Sequence, residues 1–214
     1  MPPHAHAKLR RALIETCRAM NGLGLNQGTA GNASARVPEG LLITPSGLAY
    51  ERMKPDDIVV IDAGGRAHGA RPPSSEWRFH FDILRQRAEV GAVLHAHPPF
   101  CTALACLGRD IPAFHYMVAV AGGDSIRCAP YATFGTQALS DHALEALEGR
   151  LACLLANHGM ICVAAGLDAA LDLAVEVETL AQQYWRALQV GAPQLLSADE
   201  MRTVLRKFQS YGKR

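Results

Sequence analysis

The chain has no Cys-x-x-Cys pair, few aromatics, no excess of either charge and no apolar run long enough to cross a bilayer. Each absence removes a class of protein. Its six cysteines (17, 101, 106, 128, 153 and 162) stand mostly inside apolar stretches, which suits reduced, buried thiols of a cytoplasmic protein that pack and do no chemistry. A formal net charge of +1 and an aromatic content of 6% leave neither a basic groove nor a stacking platform, so no nucleic-acid partner is expected. The longest apolar run, Leu151 to Ala165, is broken by Asn157 and His158 and falls short of the ~20 residues that span a membrane. Met1-Pro2-Pro3-His4-Ala5-His6-Ala7-Lys8 lacks the apolar core of a secretory signal, so export is not expected either. The Gly-x-x-x-x-Gly-Lys spacing of a nucleotide loop and the Gly-x-Ser-x-Gly elbow of a serine hydrolase are also missing.

What is present reads as one domain over residues 1–214, with no linker, low-complexity tract or internal repeat. Leu9, Leu13, Cys17 and Met20 recur at helical spacing, with Gly22 and Gly24 as stop signals. Residues 24–32 are too rich in Gly and Asn for either period and form a loop ahead of strands at Ala33–Val37 and Leu41–Thr44. Ile58–Asp62 is a third strand, closed by Gly64-Gly65. Pro72-Pro73-Ser74-Ser75 opens a helix to about Arg87, with a serine as its N-cap and Glu76 in its first turn. After the strand around His95, the pattern predicts helix over 98–107, extended chain over 113–120 and 125–131, helix over 136–147, and a buried strand or hairpin over 151–163. Two helices follow, from about Asp168 to Val190 and from the capping-box pattern Ser197-Ala198-Asp199-Glu200 onward. Central strands flanked by helices make a layered α/β domain, although periodicity does not give strand order.

The chemistry begins at Val93-Leu94-His95-Ala96-His97-Pro98. On a strand, side chains i and i+2 share a face, so His95 and His97 can meet one cation. His158, in the apolar run Leu154–Gly159, is a third candidate. Three neutral imidazoles with an open position suit a catalytic metal site, whereas a structural site closes with a fourth Cys or His. The alternative is a pair of core histidines hydrogen-bonded to backbone. His4-Ala5-His6 has the same spacing with no strand to orient it. Glu76 is either a ligand or base beside that cation or a solvated carboxylate favoured by its helix dipole. His80, one turn later, can face the same site but fits a core role and stays outside the ligand set. Anion-binding loops are offered by Gly31-Asn32, by Thr44-Pro45-Ser46-Gly47 and by Ser74-Ser75 at a helix start; each by itself is equally a plain turn. Tyr116 and Tyr211 are possible proton donors, and otherwise a strand residue and a frayed tail.

Taken together, Leu23–Asn32, Leu42-Ile43-Thr44-Pro45-Ser46-Gly47, Pro73-Ser74-Ser75-Glu76-Trp77-Arg78-Phe79-His80, His115-Tyr116-Met117, Ala129–Gly135, His158-Gly159 and Lys207–Gly212 resemble the class II, zinc-dependent L-fuculose-1-phosphate aldolases of the aldolase/epimerase/adducin-head superfamily. The resemblance runs almost end to end. It implies an α/β (α+β) fold with a central, mostly antiparallel sheet flanked by helices. It places the metal, Zn²⁺ with Co²⁺ or Mn²⁺ as substitutes, on His95, His97 and His158, with Glu76 as a ligand that swings away when substrate arrives. Phosphate falls to Gly31, Asn32, Ser46, Gly47, Ser74 and Ser75. Tyr116 would protonate the aldehyde oxygen across a subunit boundary, Tyr211 and Phe208 would reach a neighbouring site, and the assembly would be a fourfold homotetramer.

The implied reaction is reversible cleavage of a ketose 1-phosphate to dihydroxyacetone phosphate and an aldehyde. The cation would stabilise the enediolate and Glu76 would shuttle the C3 proton, with no Schiff-base lysine. L-fuculose 1-phosphate, 5-deoxyribulose 1-phosphate and 5-methylthioribulose 1-phosphate share the reacting end. Competing readings are a pentulose-phosphate 4-epimerase, a methylthioribulose-phosphate dehydratase, a non-catalytic module like the adducin head, and a metal buffer.

Overall fold

The computed structural model describes residues 6–210. Its strands are β1 (Asn32–Val37), β2 (Gly40–Ile43), β3 (Val59–Asp62), β4 (Ala67–His68), β5 (Ala92–Ala96), β6 (Arg127–Ala129), β7 (Ala152–Leu155) and β8 (Gly159–Ala164). Its helices are α1 (Ala7–Gly22), α2 (Trp77–Gln86), α3 (Pro99–Cys106), α4 (Gln137–Ala146), α5 (Leu167–Val190) and α6 (Ala198–Ser210). All eight strands join one sheet in the order β4-β3-β2-β1-β5-β8-β7-β6. Every neighbouring pair is antiparallel except β6 and β7, so the sheet is mostly antiparallel as the resemblance implied. Both edges are very short strands, which leaves little unpaired backbone for another chain to template on.

The two-residue period of the strands sorts the core into two layers. Ala33, Ala35, Ala92, Leu94, Ala96 and Cys162 pack on one face, against the buried stripes of α1, α3 and α5. Leu41, Ile43, Val93, Ile161 and Val163 pack on the other, against Phe79 and Ile83 of α2 and Leu139 and Ala143 of α4. His95 therefore points to the α2 side, on the face of Val93. Asp82 ties the two helices of that side together, its Oδ2 accepting from Ser140 Oγ at 2.7 Å and from Gln137 Nε2 at 2.9 Å. Among the described residues, no helix is long and apolar enough to cross a membrane.

Three local expectations change. The segment 113–120 is not extended: after a single bridge from Ile111 to Ile126 the chain turns into a 3-10 helix over Tyr116–Ala121. Val118 and Ala121, three apart and both fully buried, lie on one side of a 3-10 turn, whereas a strand would point them to opposite faces. Of the run 125–131 only Arg127–Ala129 forms a strand, with Ile126 in the lone bridge before it and Pro130, which has no N–H to continue the ladder, after it. Glu76 is the residue before α2 and not a member of its first turn, and no serine side chain caps that helix. The Ser74 hydroxyl instead accepts from the Glu76 N–H at 3.3 Å.

Candidate functional site

Three neighbouring elements deliver one cluster. β5 carries His95 on its α2-facing side, and His97 follows one residue beyond the strand's end, still in register with that side. His158 is not on a strand; it ends the three-residue turn, Ala156–His158, that joins β7 to β8. Asn157 in that turn has φ 55°, a left-handed conformation that Asn tolerates and that lets the chain reverse so sharply. Because β8 lies beside β5, the turn comes up next to His97, and Gly159 makes the approach possible: a Cβ there would sit 2.3 Å from the Ala96 carbonyl oxygen. Glu76 reaches in from above the sheet and is buried, 6% exposed, so it is not the solvated carboxylate of a free helix start.

One ligand atom from each of Glu76, His95, His97 and His158 lies within 4.8 Å of all the others. His95 Nε2 stands 3.1 Å from Glu76 Oε2 and 2.8 Å from His97 Nε2, and His158 Nε2 stands 3.2 Å from Glu76 Oε1. The His95 Nδ1–H donates to the Met160 carbonyl at 2.9 Å, which leaves the Nε2 lone pair pointing into the cluster. Glu76 Oε1 is buried and takes no hydrogen bond. Three inward-facing imidazole nitrogens around an orphaned carboxylate oxygen fit a divalent cation of intermediate softness, because a shared positive ion satisfies all four lone pairs at once.

The electrostatics agree with that fit. Burial and the charge of His95 hold His97 and His158 down at about 4, so both imidazoles are neutral, as ligands must be, at physiological pH. Burial alone would raise Glu76, yet the charge and hydrogen bond of His95, joined by a hydrogen bond from Asn32, outweigh it and leave the carboxyl well below its usual range. His95 goes the other way: burial lowers it, but the Glu76 charge and hydrogen bond raise it above its ordinary value.

A cavity of about 250 Å³ opens directly over the cluster. It is lined by Thr29, Gly31, Asn32, Ser46, Gly47, Ser74, Ser75, Glu76, His97, Phe134 and His158, so all six residues expected to hold phosphate border one space with three of the four expected ligands. The loops are not loose backbone. Ser46 N–H donates to the Pro72 carbonyl and Ser74 N–H to the Thr44 carbonyl, stitching the two serine loops together and removing two amides that the sequence offered to an anion. Asn26, not singled out from its composition-rich loop, accepts the His97 N–H at 2.9 Å and so anchors a candidate ligand. Thr29 and Phe134 also line the cavity; both lie in strings that carry the resemblance, but neither was singled out as a site residue.

Tyr116 is elsewhere. It is half exposed and lines a different cavity, of about 810 Å³, with Phe114, His115, Lys207 and Phe208, its ring stacked 6.5 Å from that of Phe208. Within one chain it does not border the cluster's cavity. Tyr211 lies outside the described residues.

Known proteins resemble the chain over nearly its whole length. It is 61% identical over 210 residues to the 5-methylthioribulose-1-phosphate/5-deoxyribulose-1-phosphate aldolase of Rhodospirillum rubrum, covering 98% of this chain and 95% of that one. It is 51% identical over 208 residues to the L-fuculose phosphate aldolase of Escherichia coli strain K12, covering 97% of each. A solved structure of an L-fuculose 1-phosphate aldolase superposes with a TM-score of 0.93 at 40% identity, covering 98% of this chain and all of that one. Residues 11–185 match the Class II Aldolase and Adducin N-terminal domain family, and with the fold and these relatives this establishes that the chain belongs to it.

Proposed function

We infer that the chain is a class II ketose-1-phosphate aldolase, an aldehyde-lyase, that splits its substrate reversibly into dihydroxyacetone phosphate and an aldehyde. The observation that carries this is the convergence of His95, His97, His158 and Glu76 under a cavity bordered by two serine loops and Gly31-Asn32. A metal buffer or an adducin-like module has no use for that cavity. Between the relatives, the 61% identity to the methylthioribulose/deoxyribulose aldolase against 51% to the fuculose enzyme favours a 5-methylthio- or 5-deoxyribulose 1-phosphate as substrate, with L-fuculose 1-phosphate second.

Zn²⁺ held by the three imidazoles, with Co²⁺ or Mn²⁺ as substitutes, would supply Lewis-acid stabilisation of the negative charge that develops on the substrate oxygens as the C3–C4 bond breaks. The chain supplies the rest. Gly31, Asn32, Ser46, Gly47, Ser74 and Ser75 grip the phosphate and so set how far the ketose backbone reaches toward the cluster. Glu76 is ionised at neutral pH; Oε2 accepts from Asn32, while Oε1, 3.2 Å from His158 Nε2 and without a hydrogen bond, is the atom placed to take and return the C3 proton. Tyr116 serves a site only if a second copy presents it, which favours a homotetramer with sites between subunits.

The decisive experiment compares chelator-stripped and Zn²⁺-reconstituted protein on the three ketose 1-phosphates by kcat/KM, with identification of the products. Turnover should vanish on stripping and return with Zn²⁺, releasing dihydroxyacetone phosphate. Undiminished turnover without metal ends the metal reading; an isomer or a diketone as product replaces aldolase with epimerase or dehydratase. Glu76→Gln should still bind inorganic phosphate but exchange the C3 proton of dihydroxyacetone phosphate with solvent at least about a hundredfold more slowly. Sedimentation as a monomer at assay concentration removes the role of Tyr116.

A further inference from the structure

β1 and α2 meet in a small square of polar side chains behind Glu76. Asn32 and Ser34, two apart, share one face of β1, and Glu76 and His80, four apart, share one face at the start of α2. Asn32 is the register partner of His95 across β1 and β5, so the square abuts the ligand cluster. Asn32 Nδ2 donates to Glu76 Oε2 at 3.0 Å, Asn32 Oδ1 lies 2.5 Å from His80 Nε2, and Ser34 Oγ lies 2.7 Å from His80 Nδ1. His80 and Ser34 are fully buried and Asn32 nearly so. No bulk water competes for these bonds.

The chemistry leaves one polarity. An ionised carboxylate only accepts, so the Asn32 amide must turn its NH₂ to Glu76 and its carbonyl oxygen to His80. His80 Nε2 must then donate. In the neutral imidazole Nδ1 is left as an acceptor, so the Ser34 hydroxyl donates to it. A reversed Asn32 would set its oxygen against the Glu76 oxygen, two acceptors with nothing between them in a dry interior.

We propose that His80 is a positioning residue that locks the Asn32 carboxamide in the orientation that holds Glu76 beside the metal ligands. This deepens the aldolase reading and rests on it. His80 neither lines the cavity nor belongs to the cluster, and its hydrogen-bonded path to the Glu76 carboxylate runs through Asn32. Its role is to deny Glu76 the freedom to turn its carboxylate and so keep Oε1 aimed at the shared centre.

Two amide replacements separate this from simple space filling. In His80→Gln the terminal NH₂ comes close to the position of Nε2 and can still donate to Asn32. In His80→Asn the shorter amide reaches only the position of Nδ1 and meets Ser34. Titrating the stripped proteins with Co²⁺, followed by its visible absorption, should show His80→Asn binding about 10–100-fold more weakly than wild type and His80→Gln within about threefold. With metal saturating, C3-proton exchange of dihydroxyacetone phosphate should fall in kcat for His80→Asn while His80→Gln stays within about threefold of wild type. Equal binding by all three proteins, or equal losses in the two variants, overturns the proposal. A measurement without substitution covers a His80→Asn that does not fold: nitrogen-15 spectra of histidine-labelled wild type should show His80 with Nε2 protonated and Nδ1 bare, and the opposite tautomer overturns it. If wild type bound Co²⁺ but cleaved no ketose phosphate, the aldolase reading would fall while the Co²⁺ titration and the nitrogen-15 test of His80 still stood.

Discussion

Replacing Gly31 by alanine joins stability to the site, and Gly28→Ala provides the control. Both glycines have left-handed backbone, with φ +72° at Gly31 and +62° at Gly28. An alanine Cβ in that conformation costs about 1–2 kcal/mol at either position. At Gly28 the new methyl meets nothing within 4 Å. At Gly31 it would sit 2.2 Å from Asn26 Nδ2 and 2.6 Å from the carbonyl oxygen of His95. Neither neighbour yields easily, since Asn26 is tied to the His97 N–H and the His95 carbonyl belongs to β5. Overpacking of this kind adds about 1–3 kcal/mol. At about 2–4 °C per kcal/mol for a chain of this size, Gly31→Ala should melt about 2–12 °C below Gly28→Ala in a calorimetric scan of the metal-free proteins. The strain falls on the backbone of two candidate ligands, so Gly31→Ala should also bind Co²⁺ at least about tenfold more weakly, with Gly28→Ala near wild type. Equal melting temperatures and equal metal affinities in the two variants would refute the argument that Gly31 is required for close approach.

Gly159→Ala tests the other side of the cluster without a backbone penalty, its Cβ falling 2.3 Å from the Ala96 oxygen and 2.8 Å from the His97 ring; titration with Co²⁺ should show affinity reduced about tenfold or more, and an unchanged value would mean that β5 and β8 can part there freely. Asp82→Ala leaves Ser140 and Gln137 without their acceptor between α2 and α4 and should lower the unfolding free energy in urea by about 1–3 kcal/mol at an unchanged slope. In the metal-free protein, burial first and the charge of His95 second depress His97 and His158 to about 4 and His80 to about 3, against about 6.5 unfolded. The unfolded chain then holds more protons below pH ~6.5, so this stability is complete above that pH and drains away as pH falls toward 4. His95, raised by Glu76, works in the opposite sense at higher pH. Melting temperatures of the stripped protein should therefore fall steadily from pH 6.5 to 4.5, and a flat or rising profile would contradict the assignment.

His95 and His97 were legible because their message is local: a two-residue spacing in an apolar run specifies a shared face whatever surrounds it. The helical stripe of α5 and the glycine stops after α1 were legible for the same reason, and the ordered strings around the serine loops carried the family resemblance. The reading erred where local pattern and burial disagree. The pattern of residues 113–120 predicts extended chain, but Val118 and Ala119, adjacent in the chain, are both buried together with Ala121, and the chain coils into a 3-10 helix. His158 looked like a strand residue because its flanks are strands, whereas it occupies the turn between them.

Residue types and short periods thus determined a layered α/β chain, a pair of candidate metal ligands on one strand and loops suited to an anion. Only the tertiary structure decided that these meet. Glu76, His95 and His158 are far apart along the chain, and their convergence depends on β5 lying beside β8 and on α2 packing over that sheet face. The polar square of Asn32, Ser34, Glu76 and His80 has the same origin, because hydrogen-bond partners are chosen by distance in space and no spacing within β1 or α2 records that the two elements touch.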